Sequence, residues 1–442
     1  MHTKVTGGKN LSSYSHGGGG GWGVVPDDAI EQTVSEDGLH MFTGEFQINK
    51  DSEERRKVAL RRVGHPGCGS PALPPGAQQA HPIQVTNSTM NVPLVCDYGS
   101  GFSKVGFSGT AAPLAIFPTI LGKLRHDNPL VGMEEKDWFI GAEVQNKRGQ
   151  LNLQYPVSRA TIADWDNMEK IWHHSFYQVL HIAPEQHPLM VTEPPLNTMS
   201  NKEKVSQILF ETFNVPALYL ANQGVFSLYA SGQTSGTTIE SGEGMTYFVP
   251  IVEGCPLHQS TIQMDVAGQD LTLYLLQLLT DSGHSLVGTA DREYIRDVKE
   301  KCCHVALDFN KGKMKASSPS NAQKYQLPDG REINIGRERF SCPEALFQTN
   351  LIGRNNLGIH MMAFRSISSC NPTLWRVLFG HVVLSGGTGS CSGLQLRMQK
   401  EISALVTPTI NVKVRSSPST LWGLPPFIPQ HQQLFIGYYE LQ

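Results

Sequence analysis

The stretch Val92–Gly109 reads VPLVCDYGSGFSKVGFSG. An apolar run, Leu94, Val95 and Cys96, ends in an acid, Asp97. A Gly-Ser-Gly turn follows, then Lys104, then a second apolar run through Val105 and Phe107. Two such runs around a glycine-rich turn predict a β-hairpin. Its tip holds more glycine than a turn needs, because Gly99 and Gly101 let backbone N–H groups come close to an anion. Asp97 can hold the water shell of a divalent cation, and Lys104 can offset phosphate charge. Alone, the stretch reads first as a plain structural hairpin.

The pattern then returns. Gly236–Gly254, GTTIESGEGMTYFVPIVEG, again has a β-rich run, an acid (Glu240), glycines at Gly242 and Gly244, and a second β-rich run. Two such hairpins can face each other and clamp one polyphosphate from both sides, with a divalent cation between the acids. A third glycine stretch follows the apolar strand Val382 to Leu384: Ser385-Gly386-Gly387-Thr388-Gly389, and then a helical pattern. Strand, glycine turn and helix N terminus together make an anion seat. It is not a Walker loop, since no Gly-Lys-Ser/Thr follows. The three features point to a nucleotide-binding ancestry.

The intervening chain alternates strands and helices. Ile162–Leu180 reads as a helix with Asp164 as N-cap and Met168, Ile171, Trp172 and Phe176 at helical spacing, stopped by Pro184. HPLMVTEPP reads as a buried strand. NKEKVSQILFETF is amphipathic, with Val205, Ile208, Leu209 and Phe213 on one face. VPALYLANQGVFSLYASG runs from strand to helix across Asn222-Gln223-Gly224. This alternation predicts an α/β fold.

Composition narrows the classes. The chain has 442 residues, 39% apolar and 17% charged, with net charge −3, which does not favour nucleic acid or an anionic membrane as main partner. Leu271–Leu279 is too short to span a bilayer, and no secretory signal is visible. Eight cysteines without C-x-x-C read as free thiols in a reducing compartment. Cys302-Cys303-His304 and His173-His174 lack the spacing of metal ligands and read as core or surface residues. Residues 1–90 are glycine- and proline-rich with little apolar periodicity, and read as a disordered extension. Within it, Glu45–Arg62 reads as a solvated coil, or else as a short charged helix whose Arg55-Arg56-Lys57 and Arg61-Arg62 clusters form a targeting or binding patch.

From about Asn91 to Lys400 the sequence resembles the actin family. The resemblance rests on long ordered strings: DYGSGFSKVGFSG, ILGKLRH, VGMEEKDWFIGAEVQNKRG, DNMEKIWHH, VTEPPLN, ILFETFNVPALYL, SLYASG, DREYIRDVKEKCCHVALDF, LPDGREINIGRERFSCPEALF and LSGGTG. Sugar kinases and Hsp70-type chaperones share the nucleotide fold but not these strings. The resemblance implies an actin-like ATPase fold: two ribonuclease-H-like domains, in four subdomains, around a cleft for ATP or ADP with Mg²⁺ or Ca²⁺. The small domain would cover 91–223, continued by a truncated 420–442, and the large domain 224–419.

Residue by residue, the resemblance assigns Asp97, Ser100, Gly101 and Lys104 to the first phosphate hairpin, and Glu240, Gly242, Glu243 and Gly244 to the second. Lys299 and Glu300 fall on the adenosine-side helix, and Gly387 and Thr388 in the glycine loop. The metal would be held through water by Asp97 and Glu240, and Gln223 would position the attacking water, in keeping with phosphoryl transfer by positioning and charge neutralisation. The departures are informative. Glu240 and Glu243 stand where the family has Asp. Tyr247 replaces a histidine that arranges the water, and a phenol titrating near 10 is a poor proton relay. Arg159 replaces a histidine of the sensor loop, and Cys391 an aromatic near the adenine. The C-terminal stretch is shortened around Leu421, without the family's lysine over the nucleotide or its terminal helix. Arg125–Gly149 keeps the length of a loop that inserts into the next protomer, whereas FQTNLIGRNNLG carries Arg354 at an apolar point, where an unpaired, buried charge argues against ordinary filaments.

These features predict a cytoplasmic, cytoskeletal actin-like scaffold, with ATP–Mg as structural ligand and at most a slow actin-type ATPase. Its partners would be actin-binding or cytoskeletal proteins, or actin itself, with no direct nucleic-acid contact and no membrane span. The alternatives are a polymerising, ATP-hydrolysing actin and a nuclear actin-related subunit of a chromatin complex.

Overall fold

The computed structural model describes residues 92–110, 112–124, 138–284, 289–316, 322–327 and 330–417, together with two short strands, Phe46–Gln47 and Lys57–Val58. Those two strands pair antiparallel, Phe46 opposite Val58, so neither the coil nor the helix expected for Glu45–Arg62 holds at these four residues. Expectations for the rest of residues 1–91, for the loop at 125–137 and for the C-terminal stretch beyond 417 lie outside the described residues.

Both halves of the described chain build the same sheet. In the first, strands run in the order Leu218–Asn222, Leu189–Glu193, Leu94–Tyr98, Phe102–Phe107, Ala115–Pro118. Leu94–Tyr98 is central, parallel to Leu189–Glu193 on one side and antiparallel to its own hairpin partner on the other. In the second, the order is Val414–Ser416, Val382–Ser385, Gly236–Ser241, Thr246–Val252, Cys255–Pro256, with Ile262–Met264 also paired to Thr246–Val252. Gly236–Ser241 is again central, parallel to Val382–Ser385 and antiparallel to Thr246–Val252. Each glycine hairpin therefore begins on the middle strand of its own sheet. Parallel central strands need both faces covered, so the Leu94 and Val382 runs are apolar without strict alternation, while Gly236–Ser241 buries threonines and Glu240 instead. Leu94 to Cys96, Val191 and Val382 to Leu384 are all buried.

Helices supply the cover. Trp165–His173 is capped by Asp164, whose Oδ1 accepts from Asn167 N at 3.0 Å, and buries Met168, Ile171 and Trp172. The sequence periodicity predicts one α-helix to Leu180. Instead the chain passes at His174 into a π-helical segment, His174–Val179, which keeps Phe176 buried. Met199–Glu211 buries Val205, Ile208 and Leu209 as its amphipathic pattern requires, with Phe213 buried just beyond it. These side chains join Leu94, Val105 and Leu189 in one core, and Phe248, Leu271, Leu275, Phe379 and Met398 belong to a second. Each large side chain so buried contributes about 1.5–3 kcal/mol. The two cores hold two sheets, and the sheets carry the two hairpin tips to a common place. The result is a mixed α/β architecture of two like sheets, as the alternation of strands and helices in the sequence predicts. No helix among the described residues is long and apolar enough to cross a membrane.

Candidate functional site

The first hairpin places Asp97 directly opposite Lys104 in its ladder. Lys104 Nζ lies 3.0 Å from Asp97 Oδ2. The other carboxylate oxygen accepts from Thr192 Oγ1 at 2.6 Å and from Gln223 Nε2 at 3.1 Å. Thr192 comes from the parallel neighbour strand and Gln223 from the first turn of the helix Gln223–Ala230, capped by Asn222. Burial pushes the Asp97 carboxyl up, but the Lys104 charge and the hydrogen bonds of Thr192, Lys104 and Gln223 outweigh it and hold the group below its ordinary value. Asp97 is therefore an anion, fixed at both oxygens.

Glu240, in the equivalent position of the second hairpin, has a different environment. It is 9% exposed, and its Oε1 is buried with no hydrogen-bond partner. Burial raises its carboxyl from 4.5 to about 7, against the pull of the Ser227 and Ser385 hydroxyls, which lie 3.0 Å from each other, and with the Asp97 charge adding to the rise. A native buried carboxylate oxygen left unpaired calls for an occupant. Two carboxylates, near enough for the Asp97 charge to act on Glu240, suit a hard divalent cation reached through water.

Beyond the acids the hairpin tips meet. A Cβ at Gly244 would stand 2.6 Å from Ser100 Oγ and 3.0 Å from Ala160 N, so only glycine admits the approach of the first hairpin. Gly386 begins the glycine loop at φ +82°, where a Cβ would run into the Ser241 carbonyl. Thr388 Oγ1 donates to Gly242 O at 2.8 Å and ties that loop to the second hairpin. Gly242 and Gly387 face open space, leaving bare backbone on both sides of the tip. The sequence predicts a helix N terminus directly behind this loop. The structure makes Gly386–Gly389 a single helical turn of its own and starts the long helix, Leu394–Leu405, at Gly393, packed on the Val305 carbonyl. Thr388 and the backbone of the turn, rather than the long helix's N terminus, meet the hairpin.

Lys299 approaches from the helix Thr289–Cys302. It donates to Gly268 O (2.8 Å) and Thr272 Oγ1 (2.9 Å) and stands 3.7 Å from Glu243 Oε2. Glu300, one residue on, points outward, half exposed, with Arg296 Nε 4.0 Å away. Cys391 is partly buried near Lys299 and Cys303, and burial raises its thiol to about 11. Beside the tips lies a cavity of about 280 Å³ lined by Ser100, Gly101, Tyr155, Glu243, Arg292 and Arg296, among others.

Tyr247 pairs across the ladder with Glu240, but its ring packs among Leu228, Val249, Ile251 and Val383. Burial raises its phenol to about 12, so it stays protonated across the neutral range. Arg354 is paired within the chain. It is 42% exposed and not unpaired: Nη1 lies 3.1 Å from Asp265 Oδ2, and Nη2 lies 3.9 Å from Asp270 Oδ1. Sequence reading missed Thr192, Thr272 and Asp270. Thr192 lies within VTEPPLN but is not set apart there, and Thr272 and Asp270 sit in a helix with no motif around them, visible only as polar residues inside a buried element.

Asp97, Ser100, Gly101, Lys104, Gln223, Glu240, Gly242, Glu243, Gly244, Lys299 and Thr388 thus gather around two touching glycine tips on the middle strands of two like sheets. The Actin family model matches residues 88–421, a span that holds both hairpins, the glycine turn and Gln223, and the chain belongs to the actin family.

Proposed function

We propose that the chain is an actin-like structural or scaffold protein of the cytoskeleton that holds ATP with Mg²⁺ as a structural ligand and cleaves it slowly or not at all. Members of the family bind a nucleotide with a divalent cation, and the residues here fit that group. The unpartnered, buried Glu240 oxygen, within electrostatic reach of the fixed Asp97 carboxylate, is the observation that supports a cation. When bound, the nucleotide supplies a polyanion whose charge the cation bridges. Lys104 and the bare backbone at Gly242 and Gly387 would bind its phosphates, Asp97 and Glu240 would hold the cation's water, and Lys299 would lie on the nucleoside side.

The same residues argue against fast cleavage. Gln223 spends its amide hydrogens on Asp97 and Thr192, 3.1 and 3.3 Å away. Tyr247, buried and titrating at about 12, neither accepts nor passes a proton near neutral pH. Positioning without proton transfer gives binding with little turnover. Purified full-length chain is titrated with Mg-ATP beside a Lys104→Ala, Asp97→Ala double variant, and phosphate release is followed in parallel. Saturable binding lost in the double variant, with little phosphate release, is the expected result. Equal binding by both proteins sinks the structural-ligand reading.

The internal pairing of Arg354 favours a second reading, a polymerising ATPase, because it removes the penalty of an unpaired charge in a filament contact. Sedimentation with Mg²⁺ and salt separates the two: pelleting above a critical concentration with phosphate release selects the polymerising form.

A further inference from the structure

Arg159 and Ala160 form the tip of a small hairpin, Val157–Ser158 with Thr161–Ile162, whose Val157 and Ile162 pack in the first core. Both tip residues are left-handed, at φ +49° and +60°, and neither is glycine. Such a conformation persists only when its surroundings over-determine it. Here they do. The Arg159 guanidinium makes a two-pronged pair with Asp270, Nη1 to Oδ2 and Nη2 to Oδ1, both at 2.8 Å. It also donates to Asp265 O at 2.7 Å and Gly244 O at 3.2 Å. The neighbouring Ala160 N–H donates to Ser100 Oγ at 3.0 Å. One strained turn therefore grips the tips of both glycine hairpins.

Its acceptors belong to the other half. Asp265 and Asp270 bracket the start of the helix Gly268–Asp281, whose Leu271 and Leu275 lie in the second core. Asp270 is buried and also accepts from Ala267 N at 3.0 Å, so the helix start and the Arg159 pair share one carboxylate. Arg354 closes the group from the loop 353–358, bonded to Asp265 and close to Asp270, and Asn356 bonds Asp265 as well. Two guanidinium groups meet two carboxylates, and the cluster is neutral.

We propose that Arg159, Asp265, Asp270 and Arg354 form an ionic clasp that holds the two glycine hairpins together with the chain's own charges, so that their contact does not depend on a bound ligand. A fork-to-carboxylate pair with a buried acceptor is among the strongest and most directional contacts a side chain makes. Arg159 carries the contact between the halves, whereas Arg354, more exposed, anchors the loop 353–358 and buttresses the two acids.

Hydrogen exchange on the full chain tests this, with peptides covering 157–162 and 241–246, and the helix Leu394–Leu405 as the folding control. Wild-type protein stripped of nucleotide is expected to protect both peptides, and Mg-ATP to leave that protection unchanged. Arg159→Ala, ligand-free, is expected to lose protection in both by about tenfold or more, the factor for one charged hydrogen bond, while the helix stays protected. Arg354→Ala should lose less in these peptides. If Arg159→Ala does not fold, Arg159→Lys, which keeps the charge but not the fork, replaces it and should show a partial loss. Ligand-free wild type exchanging rapidly at both peptides until Mg-ATP is added overturns the clasp, and so does wild-type protection in whichever Arg159 variant folds.

Discussion

Replacing Glu240 by Gln isolates the most perturbed acid of the site. Its carboxyl rises from 4.5 to about 7 through burial, so between those values the folded protein binds a proton that the unfolded chain releases. Stability from this group is fully present below about pH 4.5 and is lost as pH rises through about 7. At 1.36 kcal/mol per unit the total is about 3 kcal/mol, of which about 2 kcal/mol falls between pH 5.5 and 8. Glu240→Gln keeps the shape and removes the titration. Urea unfolding in a chelator, at pH 5.5 and pH 8, should show the wild type losing about 2 kcal/mol more than the variant over that interval. Asp97, held below its ordinary value, titrates under this window and is common to both proteins. Divalent cation at pH 8 should then stabilise the wild type and not the variant, because only the ionised oxygen attracts it. Identical pH dependence in the two proteins would refute the argument that burial of Glu240 outweighs the Ser227 and Ser385 hydroxyls and the Lys104 charge.

Three further outcomes follow from named contacts. Tyr247→His puts an imidazole beside Glu240 and should raise phosphate release from the Mg-ATP complex by about tenfold or more with binding unchanged, which single-turnover assays read directly. Gly386→Ala forces a methyl into the Ser241 carbonyl at a left-handed φ and should destabilise the ligand-free chain by about 2 kcal/mol or more, seen as a lower urea midpoint. Arg397→Ala strands Glu344, 1% exposed and paired to Arg397 Nη1 at 3.1 Å, and should lower stability by about 3–5 kcal/mol at pH 7 in the same unfolding assay.

The site was legible in sequence where local chain order carries it. Asp97 and Lys104 flank a short turn, so a hairpin alone puts them opposite each other, and the repeat at Glu240 follows the same logic. What was not legible comes from distant strands meeting. Thr192 reaches Asp97 only because Leu189–Glu193 lies parallel to Leu94–Tyr98. Arg354 looked unpaired because Asp265 lies far away in the chain. The change from α- to π-helix at His174 was invisible too, since Phe176 keeps its apolar place in either register. The short strands at Phe46 and Lys57 carry no alternating pattern long enough to announce them.

The shared strand order has a consequence for how the chain is made. The first sheet has all five strands by Asn222, as synthesis proceeds from the N terminus. The second cannot finish so early: Gly236–Ser241 emerges with its hairpin partner, but its parallel neighbour ends at Ser385 and the next strand at Ser416. At about 5–20 residues per second, the open side of that middle strand waits on the order of ten seconds for its neighbour. An unpaired strand presents free N–H and C=O groups and is a template for the wrong partner. The nascent chain is thus most vulnerable to misassembly after its first half has folded, and substitutions that roughen the exposed side of Gly236–Ser241 bear on yield before they bear on the finished protein.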